Sequence, residues 1–339
     1  MKILSDEQFS ELHQIIDEAQ NIVLTCHRNA DGDALGSTIA LANILCKQGK
    51  DATVVVPDGF PDFLHWLPGI HNVVRYDKHP EKCALLLKMC DVVFCLDYNT
   101  LSRTGDEMCA SIAASKAQRV MIDHHLCPDI DCRVCVSMPS MSSTSEMVYH
   151  VAVQLGYAEH IDKAVATCIY CGMMTDTGAF TYNSNSPEVY HVIAELLQRG
   201  IDKYKIYRNV YYTFSPDRMH LWGHVLSTFH MSKRGDAAYF TISKADMKRF
   251  NFIRGDAEGL VNMPLQIKGM KLCISLREDT EKPRLVWVSL RSVDDFPCNK
   301  MAEQYYGGGG HLNAAGGRLN CSLEEAVAIT EKAIEEFTY

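Results

Sequence analysis

Apolar runs and helical periodicities alternate along the first half of the chain. Ser5-x-x-Gln8 forms a capping box and predicts a helix to about Gln20. The run Asn21–Cys26 (NIVLTC) predicts a strand, and Ala34–Gly49 predicts a helix that Gly49 stops. A β-branched strand over Ala52–Val56 is closed by Pro57. Pro80–Cys90 then reads as helix, Asp91–Leu96 (DVVFCL) as strand, Asp106–Ser115 as helix and Gln118–Ile122 (QRVMI) as strand. Helical patterns follow over Ser143–Leu155, Ile161–Met174 and Pro187–Gly200. Strands that are apolar throughout and alternate with helices predict an α/β fold, a doubly wound parallel sheet covered on both faces.

The pattern changes near Ala237. Ala238–Ile242 (AYFTI), Lys271–Leu276 (KLCISL) and Arg284–Leu290 (RLVWVSL) predict strands, with helices at Lys244–Phe250 and Leu323–Phe337. More strands follow one another directly, which predicts a smaller C-terminal α+β domain. The expected organisation is a domain over 1–186, a helical linker over 187–229 and a second domain over 230–339. A length of 339 residues suits two domains.

Composition narrows the function classes. A chain that is 47% apolar and 22% charged is well cored, which excludes disordered and fibrous readings. Its net charge of −9 excludes a non-specific binder of long duplex, which needs a basic face. The start, MKILSDE, enters an acidic amphipathic helix rather than a signal sequence. No apolar run approaches the roughly 20 residues that span a bilayer, so no membrane partner is expected. Fourteen cysteines without an export signal fit a cytoplasmic protein with reduced thiols. The pairs Cys132-x-x-Cys135 and Cys168-x-x-Cys171 are too far apart for a four-cysteine zinc ribbon, and the second pair lies in an apolar helix.

The strongest chemical signal follows the first strand, in His27-Arg28-Asn29-Ala30-Asp31-Gly32-Asp33. Ligands of open α/β sheets bind at the carboxyl ends of strands. On its own this segment is equally a solvated Asp-Gly turn with Asp33 capping the next helix. Two more strands end alike, in Asp97 and in Asp123-His124-His125, and Asp176 closes an apolar helix. Several carboxylates can be buried together only if cations neutralise them. Mixed His/Asp donors suit first-row divalent ions such as Mn²⁺ rather than Ca²⁺. Near the C-terminus, the side-chain-free run Gly307, Gly308, Gly309, Gly310 followed by His311 is either a phosphate cradle or a flexible loop.

Together these residues resemble the four motifs of the DHH phosphoesterase superfamily, and the glycine run with His311 resembles its C-terminal associated domain. Order and spacing are similar to the branch of nanoRNases and pAp phosphatases. Ala30 departs from the proline usual in that pattern. The resemblance implies one ion held by His27, Asp31 and Asp97, and a second held by Asp33, Asp97, His124 and Asp176. Asp97 would bridge the two, Asp123 would orient a ligand histidine, and His125 would face the scissile phosphate. Arg103, Arg291 and Ser292 become candidate phosphate donors alongside the glycine run and His311.

The implied activity is a two-metal phosphoesterase that uses water activated by two divalent ions, Mn²⁺ or alternatively Mg²⁺. Substrates would be short RNA oligonucleotides or 3′-phosphoadenosine 5′-phosphate (pAp), held in a cleft between the domains. Rivals are a phosphodiesterase for cyclic di-AMP or pApA, an inorganic pyrophosphatase, and a catalytically silent nucleotide-binding regulator. The glycine-histidine element speaks against the pyrophosphatase, and the complete ligand motifs speak against the regulator. Oligomeric state stays open, a homodimer included.

Overall fold

A computed structural model describes residues 1–253 and 255–338; Arg254 and Tyr339, inside the expected 230–339 domain, lie outside the described residues. The chain forms two compact units, Met1–Thr213 and Phe214–Tyr339. The helical stretch 187–229 is therefore divided at its Thr213–Phe214 bond.

The first unit is built on β1 (Asn21–Thr25), β2 (Asp51–Val56), β3 (Val74–Arg75), β4 (Val92–Leu96), β5 (Gln118–Asp123) and β6 (Val134–Ser137). All pair in parallel, in the order β3-β2-β1-β4-β5-β6. The order reverses between β1 and β4, which opens a crevice beyond their carboxyl ends. Helices α1 (Asp6–Glu18), α2 (Gly32–Lys47), α3 (Pro80–Met89), α4 (Asp106–Ala114), α5 (Thr144–Gln154), α6 (Lys163–Asp176), α7 (Pro187–Gln198) and α8 (Lys203–Tyr211) complete it.

Successive strand residues bury on opposite faces, as a period of two requires. Ile22, Leu24, Phe94, Val120 and Ile122 join one core with α2, α5 and α6, while Val23, Val93, Cys95 and Met121 join another with α3 and α4. Each fully buried large side chain contributes about 1.5–3 kcal/mol, so neither face tolerates a polar residue before the strand ends. Helices α2 and α6 meet nearly backbone to backbone. A Cβ on Gly36 would lie 2.5 Å from the Cys168 carbonyl oxygen, and one on Gly172 would overlap the Ser145 hydroxyl.

The second unit is a mixed sheet of β7 (His230–Met231), β8 (Ala237–Ile242), β9 (Leu272–Glu278), β10 (Val286–Ser292), β11 (Gly309–His311) and β12 (Ala314–Leu319). The order is β11-β12-β10-β9-β8-β7, with only the β8–β9 pair parallel. Helices α9 (Pro216–Thr228), α10 (Lys244–Arg249), α11 (Cys298–Tyr306) and α12 (Leu323–Glu336) cover it. The glycine run is not an open loop: Gly309 and Gly310 belong to the edge strand β11, and Gly308 meets the Gly316 carbonyl where no side chain fits. Strands β3, β6, β7, β11 and β12 have no counterpart in the apolar pattern. The last two are glycine-rich and form where backbones pack too closely for side chains. No helix among the described residues is long and apolar enough to cross a membrane.

Two glycine substitutions test this packing. Gly36→Ala should destabilise the chain by about 1–3 kcal/mol, because a carbonyl rather than a flexible side chain blocks the new methyl. Gly223→Ala, in mid-α9 with nothing within 4 Å, should stabilise by up to about 1 kcal/mol. Urea unfolding midpoints of the two variants should move in opposite directions.

Candidate metal centre

Strands β1, β4 and β5 are adjacent and in register, Thr25 beside Cys95 and Leu96 beside Ile122. Their carboxyl ends therefore deliver His27, Asp97 and the Asp123-His124-His125 triplet to one place. Asp33 enters from the first turn of α2, and Asp176 is the last residue of α6.

The potential ligand atoms of His27, Asp31 and Asp97 lie within 4.8 Å of one another, as do those of Asp33, His124 and Asp176, and those of Asp97, Asp123 and His125. Nε2 of His27 is 3.4 Å from Asp97 Oδ2 and 3.9 Å from Asp31 Oδ2. Nε2 of His124 is 3.3 Å from Asp176 Oδ2 and 3.7 Å from Asp97 Oδ1. Asp97 thus stands between the two histidines, one oxygen toward each.

The donor chemistry fits divalent cations. Asp33, Asp97 and Asp123 are 1%, 2% and 0% exposed. Nδ1 of His27 faces the Arg28 carbonyl at 2.8 Å, and Nδ1 of His124 faces the Met141 carbonyl at 3.3 Å. A carbonyl only accepts, so each Nδ1 carries a proton and each neutral ring turns its Nε2 lone pair toward carboxylates. Lone pair against carboxylate is repulsive unless a proton or a cation lies between them.

The ionisation of these groups carries the same message. Burial disfavours the charged His27 ring, but the bond to Asp97 and the charges of Asp31 and Asp97 outweigh it and raise its pKa to about 9. Asp176 rises to about 7: burial is the largest cause, opposed by His124 and reinforced by Asp97 and Asp31. Asp33 is raised well above its ordinary value by burial and by the charges of Asp97 and Asp176. His124 is raised as well, the nearby carboxylates outweighing its burial. Asp97 alone goes down, because the bond and charge of His27 and the charges of His125 and His124 overcome its burial.

A turn that the sequence pattern reads only as the start of a helix supplies the rest. Asp33 accepts backbone N–H bonds on both oxygens, from Thr144 at 2.7 Å and Ser145 at 2.8 Å, at the N-terminus of α5. The Thr144 hydroxyl donates to Asp97 Oδ1 at 2.9 Å. Buried Glu146 fixes this turn by accepting from the Ser142 N–H at 3.0 Å and hydroxyl at 2.6 Å. The legible signal was Ser143-x-x-Glu146 within a run of hydroxyl residues. Backbone strain gathers here too. Asn29, Asp97, Cys127, Ala179, Phe180 and Asn183, the left-handed non-glycine residues described in the first unit, all lie within seven residues of a candidate ligand.

Three placements differ from expectation. Asp31, not Asp33, caps α2, its Oδ1 accepting from Asp33 and Ala34 N–H at 3.0 Å each while Oδ2 stays with His27. Asp123 bonds Nδ1 of His125 at 2.7 Å, whereas the His124 ring is oriented by a backbone carbonyl. The buried Ser292 hydroxyl donates to Phe296 at 2.7 Å and accepts from Asn313 at 3.0 Å, so it is engaged within its own loop.

Arg103 lies in a short turn after Asp97, its carbonyl bonded to the Arg28 N–H at 2.8 Å and its charge acting on His27. In the second unit, Arg291 and His311 both pair in register with Ala314, from opposite sides. Their side chains therefore share one face of the sheet, with only a methyl between them.

Two measurements follow. Raised folded-state values at His27, His124, Asp33 and Asp176 mean that bound protons stabilise the metal-free fold. This stabilisation is complete below the unfolded values and is lost as pH rises through about 7 and then 9. Asp97 acts oppositely only below its ordinary range. In EDTA, Tm should fall by a few °C from pH 5.5 to 8.5, the scale on which about 1 kcal/mol moves a domain of this size. The gain on adding Mn²⁺ should grow over the same interval; a gain independent of pH would contradict proton–cation exchange. Thr144→Val keeps the N–H bond to Asp33 but deletes the hydroxyl bond to Asp97. Metal affinity by titration calorimetry should drop roughly 10-fold or more, and Thr144→Ser should restore it.

Residues 21–173 match the DHH family, N-terminal domain, and residues 237–337 match the DHHA1 domain. The crystal structure of an exopolyphosphatase-related protein from Bacteroides fragilis is 45% identical, with a TM-score of 0.95 covering 99% of this chain and 98% of that one. The bifunctional oligoribonuclease and PAP phosphatase NrnA of Thermus thermophilus is 28% identical over 93% of this chain and 89% of that protein. RecJ in complex with Mn²⁺, also from Thermus thermophilus, shares the fold alone, at 12% identity and a TM-score of 0.56 over 99% of this chain and 56% of that one. With strand-end histidines and aspartates gathered in its first unit and a glycine-histidine edge strand in its second, the chain belongs to the DHH family of phosphoesterases.

Proposed function

We propose that this protein is a cytoplasmic phosphoesterase that hydrolyses short oligoribonucleotides and pAp. The observation that carries the reading is the position of Asp97, shared between His27 and His124 with one carboxylate oxygen toward each. Two donor sets meeting at one carboxylate suit two cations: His27, Asp31 and Asp97 for one, and Asp33, Asp97, His124 and Asp176 for the other. When bound, two divalent ions, Mn²⁺ in preference to Mg²⁺ because imidazole donors are present, would polarise a phosphate and lower the pKa of water.

The chain's own groups would do the remaining work. His125, its Nδ1 fixed by Asp123, would offer Nε2 to the phosphate as hydrogen-bond donor or acid. Arg103 would neutralise phosphate charge beside the cations. In the second unit, Arg291 and His311 would grip a terminal phosphate from the shared sheet face, next to the glycine run 307–310, of which Gly308 and Gly310 are closely packed. A terminal grip and a chain of net charge −9 favour substrates of a few nucleotides over long duplexes. The 45% identical relative is an exopolyphosphatase-related protein, which makes inorganic polyphosphate the second reading.

The test compares kcat/KM for pAp, di- and trinucleotides, cyclic di-AMP and polyphosphate. EDTA should abolish turnover and Mn²⁺ should restore it better than Ca²⁺. Arg291→Ala and His311→Ala should raise KM for pAp and dinucleotides about tenfold or more. They should leave bis(p-nitrophenyl) phosphate nearly unaffected, since uniform binding lost from the substrate's end appears in KM. Equal losses on all substrates would remove these residues from substrate binding, and a polyphosphate preference would replace the nucleotide reading.

A further inference from the structure

Outside the metal centre, the most unusual surface of the first unit is helix α8. Residues 203–213, KYKIYRNVYYT, hold three cations and four tyrosines and no acid, in a chain of net charge −9. Asp202 precedes them but caps the helix, accepting from the Lys205 N–H at 3.0 Å. Ile206 and Val210 bury against the unit's core and anchor the helix. The opposite stripe is Tyr204, Arg208 and Tyr212 at a spacing of four, and its tyrosines are 63% and 64% exposed. Arg208 is exposed and its guanidinium lies 5.9 Å from the Tyr204 ring centre. Tyr207 contacts both Tyr211, at 4.7 Å between ring centres, and Tyr212, at 5.5 Å. Among the described residues no carboxylate pairs with Lys203, Lys205 or Arg208.

Exposed aromatic area of this size loses by hydration unless something flat covers it, and unpaired cations beside it call for an anion. A single-stranded nucleic acid meets both demands at once, bases on rings and phosphates on cations. The stripe runs about 12 Å along the helix axis, enough for a short single-stranded segment. Helix α8 also meets α6 within the same unit: the hydroxyl of Tyr211, beside Tyr212, lies 3.5 Å from the Met174 carbonyl, two residues before Asp176.

We infer that the Tyr204–Arg208–Tyr212 face of α8 is a stacking platform for the unpaired bases of an RNA substrate, beyond the nucleotide being cleaved. The inference deepens the phosphoesterase reading and, for its link to catalysis, rests on it. It explains how one centre serves two substrate sizes: pAp needs only the metals and the terminal grip, whereas an oligomer of several residues also gains the α8 rings.

Binding is measured on the full chain in EDTA at low salt, where nothing is cut, by anisotropy of a fluorescein-labelled hexauridylate. Tyr204→Ala and Tyr212→Ala should each weaken binding at least about fivefold, the lower end for a lost base stack. Tyr204→Phe and Tyr212→Phe should retain it, since the ring face stays. Arg208→Ala should flatten the salt dependence. Turnover of pAp with Mn²⁺ should change less than about twofold in every variant. Unchanged hexauridylate binding by Y204A/R208A/Y212A overturns the inference. So does a wild type that binds phosphatidylglycerol vesicles through these residues and not RNA, which would make α8 a membrane-surface helix. A wild type that cleaves no nucleotide sinks the phosphoesterase reading instead, while the anisotropy still decides the platform.

Discussion

Five aspartates converging on one crevice repel one another, and the design of the first unit is a response to that repulsion. Buried like charges a few ångströms apart cannot all ionise without compensation. The protein supplies part of it permanently. The α5 N-terminus gives both oxygens of Asp33 a backbone N–H, where the helix dipole favours negative charge. Two histidines face the carboxylates through Nε2. What is left uncompensated is the attraction that would recruit cations. A fully compensated cluster would be more stable and would bind nothing.

The scaffold makes that cluster possible in geometric terms. Strand residues alternate between two cores, so past their first residues the side chains of β1, β4 and β5 are committed to packing until the strand ends. Only there can polar groups appear, and adjacent parallel strands end at the same level. Close contact of α2 with α6 through Gly36 and Gly172 brings Asp33 and Asp176, from two different helices, to the same crevice. The left-handed backbone at Asp97 turns its carboxylate between the two histidines instead of along the strand direction. Such strain is tolerated because cores on both faces fix the strand before it.

This explains what was legible in the sequence. Apolar strands followed by acids are a linear pattern, so the sheet, most helices and the residues His27, Asp31, Asp33, Asp97, His124 and Asp176 could be read as a set. The 142–145 turn could be read only as a helix start, because what it gives Asp33 are backbone N–H groups that any residue carries, and nothing linear ties the Thr144 hydroxyl to Asp97. The partner of Asp123 could not be read, since His124 and His125 are adjacent and only the fold decides which ring it meets. The same holds for Ser292, whose hydroxyl was a reasonable phosphate donor until Phe296 and Asn313 claimed it. Strands β11 and β12 escaped detection for the opposite reason. Glycine has low strand propensity, and here it is required by how closely the backbones of Gly308 and Gly316 approach.

A phosphoesterase with net charge −9 must still attract a polyanion, and the arrangement of charge shows how the two facts coexist. The acidic crevice does not meet phosphate as an acid. Its carboxylates are balanced by whatever cations it takes up, so its effective sign toward a phosphate is reversed once loaded. The cations that the proposed function would use are few: Arg103 beside the crevice, Arg291 on the sheet face that His311 shares, and those of the α8 stripe. Concentrated in patches on the order of a Debye length, about 8 Å at physiological salt, such charge acts on what lies against it and little on what passes. Under the proposed function, short substrates would be favoured by where these cations are put, with no wall needed to stop a longer chain.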